Sequence, residues 1–554
     1  MKLLAKILPL WSLLLLLGCA KQSTPQGGPI DEDPPNIISQ YPENQSINTV
    51  PEEIIIEFDE YIKLDNPSKN IIITPRLDKD KIITTALKNR VRVDLNQELE
   101  ENTTYVFNFQ KSVQDASESN PAQNLKVVFS TGPTIDSLTV QGRVNVLFPD
   151  RNTDYRDVLI GLYRTQDTTD LFTSPPYYIG QADSTGNFQL ENLREGEFLA
   201  YAWLDENNTL KAEGKNENFA FIKDTLTITP ETEKLLHFNL AKSDQGEFKL
   251  NRSTESGSAY QLVFNKGLRD FALQHSTDHK LSFKINDDRV KIYSDQTIPD
   301  SLSLQIFATD SILQTVDSLV WAKFQESDRA KEELSVTVAS GKSFFENLKM
   351  DLTFSKPLAA INYDSLQVVY DSAQFYQITP EMLSFKDSLR RDQLQIQLFV
   401  PDSLNQSIFT LSASDSTFKD VENQYNLQSI SANFRKLKRE SLADEISGSV
   451  NTGATNLIIQ LLNSKEEVIK ELEQSNQADF SFKLIEPGIY RLRVIEDTNG
   501  NGVWDPPNFA TGRQPELVYY FLDPETQSKD ITIRGGWTVG PLVIQSIPKS
   551  GILN

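Results

Sequence analysis

From residue 36 onward the chain alternates apolar and polar positions in short runs. Ile54-Ile55-Ile56-Glu57-Phe58, Arg90-Val91-Arg92-Val93-Asp94-Leu95, Thr104-Tyr105-Val106-Phe107-Asn108-Phe109 and Lys126-Val127-Val128-Phe129 are examples, and Asn70-Ile71-Ile72-Ile73 follows the break Asp65-Asn66-Pro67. A period of two in Val-, Ile-, Tyr- and Phe-rich runs, bounded by Gly, Pro, Asn and Asp, predicts half-buried strands. Spacing of about ten residues predicts β-sandwiches. No stretch beyond residue 19 keeps a helical period. Ala20 to Pro35 (AKQSTPQGGPIDEDPP) has no apolar periodicity at all and reads as a flexible stalk.

The runs repeat in two types. In the first, Glu53 to Ile62 matches Leu348 to Leu358, Val93 to Leu99 matches Leu398 to Leu404, and Tyr105 to Phe109 matches Ile408 to Ser412. A weaker third copy runs from Gln261 to Ala308. All three share a kink, Phe58-Asp59-Glu60-Tyr61-Ile62, Phe264-Asn265-Lys266-Gly267-Leu268 and Phe354-Ser355-Lys356-Pro357-Leu358. In the second type, Ile446-Ser447-Gly448-Ser449-Val450 echoes the Leu138 to Val144 run, and Glu486-Pro487-Gly488-Ile489-Tyr490 echoes Arg194-Glu195-Gly196-Glu197-Phe198. The order is A-B-A-A-B. The predicted organisation is a segment 1–18, a stalk 19–35, and domains 36–133 (A), 137–242 (B), 246–326 (A, degenerate), 333–437 (A) and 443–548 (B). Five domains suit 554 residues at roughly 100–150 residues each.

The first 18 residues change the picture. Lys2 and Lys6 precede an apolar run, Leu8 to Leu17, too short for a permanent bilayer span of about 20 residues. Leu16-Leu17-Gly18-Cys19 ends a secretory signal and resembles a bacterial lipobox, in which Cys19 becomes the new N-terminus and carries lipid. Cys19 is the single cysteine of the chain, so no disulfide supports the domains. The net charge is -23, and loss of residues 1–18 takes two more positive charges away. So acidic a body repels phosphates, which excludes nucleic acid as a partner class. Three histidines leave little material for catalytic triads or zinc sites.

At Pro34-Pro35-Asn36-Ile37, Tyr41-Pro42-Glu43-Asn44 and Ile56-Glu57-Phe58-Asp59-Glu60 the A units resemble bacterial Ig-like domains of the S-layer SbsA type. The order of strands and turns in the B units is similar to transthyretin-like and Cna-B-like sandwiches. With the lipobox, the whole chain resembles an Ig-like-domain lipoprotein of the Bacteroidota. The resemblance implies an all-β tandem array that is not an enzyme. It implies a lipid-anchored outer-membrane protein acting as an extended spacer and protein-binding scaffold, accessory to a larger outer-membrane complex, with other envelope proteins as partners and the membrane reached through Cys19. Ala20-Lys21-Gln22-Ser23 lacks the acidic run of surface-exported lipoproteins, which favours the periplasmic face. The alternative reading is a surface carbohydrate-binding or glycan-hydrolysing lipoprotein.

Candidate chemistry is sparse. No G-x-S-x-G, Walker loop or H-E-x-x-H occurs, and His275 and His279 lack a third ligand. Asp497, Asn499, Asn501, the Val503 carbonyl and Asp505 have the spacing of the first part of an EF-hand loop and suggest a structural calcium, the one cofactor in view. Asn508 stands where that motif has Glu, and a Gly-Asn turn is the competing reading. Asp-Ser/Thr tripeptides place Ser137, Thr225, Ser301, Ser311, Ser318, Ser365, Ser372, Ser388 and Ser403 after an aspartate. They read as turns before strands, and they also resemble the O-glycosylation sequon of the Bacteroidota.

Overall fold

Alternating apolar residues pair into sheets along nearly the whole chain. The structure, a computed structural model, describes residues 32–230, 234–276, 278–328 and 330–553. The segment 1–18, Cys19 and most of the stalk lie outside the described residues. Two compact units emerge, one built from residues up to Ser137 with 192–194, the other from 138–191 and 195–554.

In the first unit, strands Ile37–Tyr41, Glu53–Phe58, Arg90–Leu95 and Ile82–Leu87 form an antiparallel sheet in that order. A second sheet joins Ile72–Thr74, Thr104–Asn108 and Lys126–Ser130. Ile54, Ile56 and Phe58 point inward while Glu53, Ile55 and Glu57 remain half-exposed, so the period-two pattern is the burial pattern. They pack with Val91, Val93, Tyr105, Phe107 and Phe129 in one core. Each such side chain contributes about 1.5–3 kcal/mol. The expected strand at Asn70 begins later, because Pro67 opens a one-turn helix, Pro67–Asn70, before Ile72–Thr74.

Residues 246–326 and 333–437 each repeat the two-sheet plan, with Phe264 and Phe354 buried at the position of Phe58. Strand pairing corrects one match. Leu95 lies beside the residue before Glu53, and Leu398 pairs Leu348, so Leu398 and not Val400 takes the place of Leu95. The two runs look alike at either offset because the side-chain period is two.

The B sandwiches are built differently. Leu138–Val146 runs parallel to Leu235–Lys242, and Ala443–Asn451 runs parallel to Thr538–Gln545. Gly142 and Gly448 occupy the same point of this pairing. A Cβ there would sit 2.1 Å from the Leu236 or Leu542 carbonyl oxygen, so only glycine fits. The strands Gly196–Leu204 and Gly488–Glu496 then pair in identical register with their neighbours, Gly196 matching Gly488 and Leu204 matching Glu496. No described helix is long and apolar enough to cross a membrane.

Candidate functional site

The Asp497–Asp505 loop leaves the end of strand Gly488–Glu496. Asp497 Oδ1 accepts from the N–H groups of Gly500 (2.8 Å) and Asn501 (3.1 Å), and Oδ2 from Gly502 N–H (2.8 Å). Gly500 and Gly502 both have positive φ, which lets three successive amides turn toward one carboxylate. Asn499 Oδ1 and Asn501 Oδ1 cap the loop's own amides at Asn501 and Val503. Asp505 takes the Arg269 guanidinium and the side-chain amides of Asn499 and Asn501. A local cation therefore already meets the Asp505 charge. Among the described residues no group of three or more His, Cys, Asp or Glu is arranged to hold a metal ion.

Glu516 closes the loop from below. It accepts from Thr498 N–H (2.7 Å), the Thr498 hydroxyl (2.8 Å) and Asp505 N–H (2.9 Å). Burial first, opposed by these hydrogen bonds and helped by the Asp505 charge, pushes its carboxyl upward. The second domain has the same device. Asp205 accepts from the amides of Thr209 and Leu210, and Glu217 from those of Glu206 and Glu213. Burial is again the main cause of a raised Glu217 carboxyl. The paired carboxylates thus serve the loop's backbone in both B domains.

Beyond Asp505 the loop reaches other domains. Phe509 lies edge-on to Phe172, Tyr201 and Phe221 of the second domain at ring distances of 5.2, 5.8 and 5.3 Å. Ser243 donates to the Pro507 carbonyl (2.8 Å), Gln245 Oε1 accepts from Phe509 N–H, and Gln514 donates to the Phe221 carbonyl. Asn508, buried, donates to the Ile312 carbonyl of the third domain (3.0 Å). Leu147, Ala241, Ile458, Ile495 and Val518 form an apolar cluster between the second and fifth domains, and Phe148 packs on Trp504 at 4.7 Å. The strand Gly551–Leu553 then pairs with Leu235–His237 of the second domain.

The kink lysines are joints. Lys266 Nζ donates to the Asp244 and Gly246 carbonyls of the entering linker and pairs with buried Asp310 at 3.0 Å. Lys356, 0% exposed, holds the Glu332 carbonyl of the next linker and pairs with Asp420 (3.0 Å) and Glu422 (2.8 Å). Ser258 and Lys284 of the third domain reach Glu422 and the Phe354 carbonyl of the fourth. The signal was present in the kink, Lys in both later copies and Glu60 in the first, but its meaning needs the linker's position.

A polar group also interrupts the core of the fifth domain. Glu496 Oε1 accepts from the Thr452 hydroxyl (2.5 Å) and the Tyr519 hydroxyl (3.1 Å) beside a cavity of about 440 Å³. Burial, then the Glu496 charge, raises the Tyr519 phenol far above its usual range, so it remains a donor.

Of the Asp-Ser/Thr positions, Ser137, Thr225, Ser301, Ser311, Ser372, Ser388 and Ser403 are exposed, and Ser318 and Ser365 half-buried. Several of the aspartates do turn work. Asp310 caps Ile312 and Gln314, and Asp387 caps Leu389 and Arg390. His275 is exposed on the strand Asp270–His275.

A family model described as a bacterial Ig-like domain, Big_5, matches residues 31–131. No curated protein matches the chain. Among solved structures, the Bacillus anthracis TIE protein is similar at 8% identity, over 97% of this chain and 78% of that one, with a TM-score of 0.13. The Bacteroides ovatus mixed-linkage glucan utilization locus protein SGBP-B, in complex with a mixed-linkage heptasaccharide, is similar at 12% identity over 62% and 87%, TM-score 0.16. BcpA, the major pilin subunit of Bacillus cereus, is similar at 10% identity over 74% and 99%, TM-score 0.13. Superpositions this poor carry no argument about activity.

Proposed function

We propose that the chain is a non-enzymatic envelope scaffold of the Bacteroidota, held at the periplasmic face of the outer membrane by lipid on Cys19, with transthyretin/Cna-B-like B domains between its Ig-like A domains and other envelope proteins as partners. The observation that carries the scaffold reading is the Asp505–Gln514 loop. It ties the fifth domain to the second and third through Phe509, Asn508 and Arg269 within the compact unit of residues 138–191 and 195–554, which could hold partners at fixed spacing. The test is affinity purification of the tagged full chain from its own membranes after cross-linking. Envelope proteins recovered with wild type and lost on Phe509→Ala support the scaffold. Recovery of the chain alone overturns it.

A second reading, glycan binding, draws on Trp321. It is 61% exposed on an edge strand, Thr315–Phe324, with Ser303 opposite and exposed Leu319 two residues away on the same face, and an exposed indole is the kind of surface a sugar ring stacks on. Retention on insoluble polysaccharides that Trp321→Ala abolishes would favour it over the scaffold.

A further inference from the structure

The two B domains act as controls for one another. The strand registers match from Gly142 and Gly448 onward, so Glu496 and Tyr519 of the fifth domain correspond to Leu204 and Ala220 of the second, and Thr452, the residue after the last paired Asn451, falls at the place of Val146. In the second domain these three are core residues, 5%, 5% and 1% exposed. The fold therefore does not require a polar group at any of the three places. The fifth domain nevertheless puts a carboxylate there, 4% exposed, and gives it two hydroxyl donors on Oε1. Its Oε2 has no hydrogen bond, and no cationic side chain pairs with Glu496 among the described residues. Glu496 lines a cavity of about 440 Å³, with Ala454, Leu517 and Ile547 as apolar wall and with Asp497 and the exposed Lys549 also in its lining.

We propose that this cavity binds an organic cation, an ammonium on a short aliphatic stem such as a lysine side chain of a partner protein, with Glu496 as its counter-ion. The volume falls within the range of small-ligand pockets, about 300–1,000 Å³. A metal ion fits poorly, since calcium takes about six to eight oxygens and the three amides that Asp497 accepts already engage both its oxygens. The apolar wall suits the stem and Glu496 the head. With the Asp497 oxygens taken up by three loop amides, Lys549 in the lining disfavours a second positive charge, which selects monoammonium over diammonium ligands.

The test is titration of the full chain with Nα-acetyl-lysine methylamide, n-butylammonium, putrescine and calcium chloride, followed by isothermal calorimetry. Wild type should bind the two monoammonium probes more tightly than putrescine. Glu496→Gln, which keeps both hydroxyl donors paired, should weaken them about tenfold or more while the protein melts no lower. The double variant Thr452→Val/Glu496→Leu, carrying the second domain's residues, should abolish binding and remain folded. Lys549→Ala should bring putrescine level with butylammonium. Failure of wild type to bind any ammonium probe, equal binding by Glu496→Gln, or a response to calcium alone overturns the proposal. These outcomes do not depend on the scaffold reading, which stands or falls on the cross-linking.

Discussion

Lys356→Met removes the cation from a joint where three groups depend on it. Asp420 is 0% exposed and the Glu422 side chain 10%, and the Glu332 carbonyl of the linker loses its donor as well. Breaking a buried pair by deleting one partner costs about 3–5 kcal/mol, because the other charge stays buried. At 1.4 kcal/mol per tenfold, that is about two to four orders of magnitude in the local opening constant. A chain of several sandwiches in two compact units does not unfold in one step, so the readout is hydrogen exchange by mass spectrometry over residues 330–357 and 418–424. Protection there should fall by that factor while residues 37–130 keep theirs. The pH dependence should also change sign. Burial raises the Glu422 carboxyl, but the Lys356 and Ser258 hydrogen bonds and the Lys356 and Lys291 charges outweigh it, and the net shift is downward. In wild type its contribution is thus present above the usual glutamate range and is lost as pH falls through the lowered value. Without Lys356 burial prevails, the carboxyl moves up, and protection in Lys356→Met should recover as pH falls. The triple variant Lys356→Met/Asp420→Asn/Glu422→Gln should regain most of the loss. Unchanged protection in Lys356→Met at neutral pH would refute the joint.

Three further outcomes are expected. Cys19→Ala should move the protein from the membrane to the soluble or unprocessed fraction in detergent partitioning, and persistent membrane association would remove the lipid anchor. Phe509→Ala should cost about 2 kcal/mol, below the 3–5 of a fully buried Phe because the ring is half-buried, and should open residues 505–514 to limited proteolysis; equal cleavage rates would show that the loop is not held by the ring. A calcium ion at the Asp497–Asp505 loop has to compete with Arg269 for Asp505. Thermal midpoints of wild type should therefore be equal in millimolar calcium and in chelator, and a calcium-dependent rise that Asp497→Ala abolishes would show that the metal binds.

Ile54-Ile55-Ile56-Glu57-Phe58 and its later copies announce strands and sandwiches in the sequence, because a half-buried strand writes its burial directly as a period of two. The Gly142 and Gly448 motifs were legible for a similar reason, since a backbone approach of that kind admits one residue type. Side-chain chemistry that depends on what comes near was not legible. Asp497 and Asp505 have the spacing of cation ligands, yet one turns onto three amides of its own loop and the other meets Arg269, more than two hundred positions earlier. Lys266 and Lys356 look like surface residues in a kink until the linker carbonyls arrive over them. Glu496 reads as the polar end of a strand, and only the identical strand register of the second domain shows that an apolar residue would have sufficed. Local pattern determined the elements, because each strand's alternation is set by its own residues. The tertiary structure decided the joints, the docked loop and the cavity, because those depend on groups far apart in the chain meeting at hydrogen-bond distance.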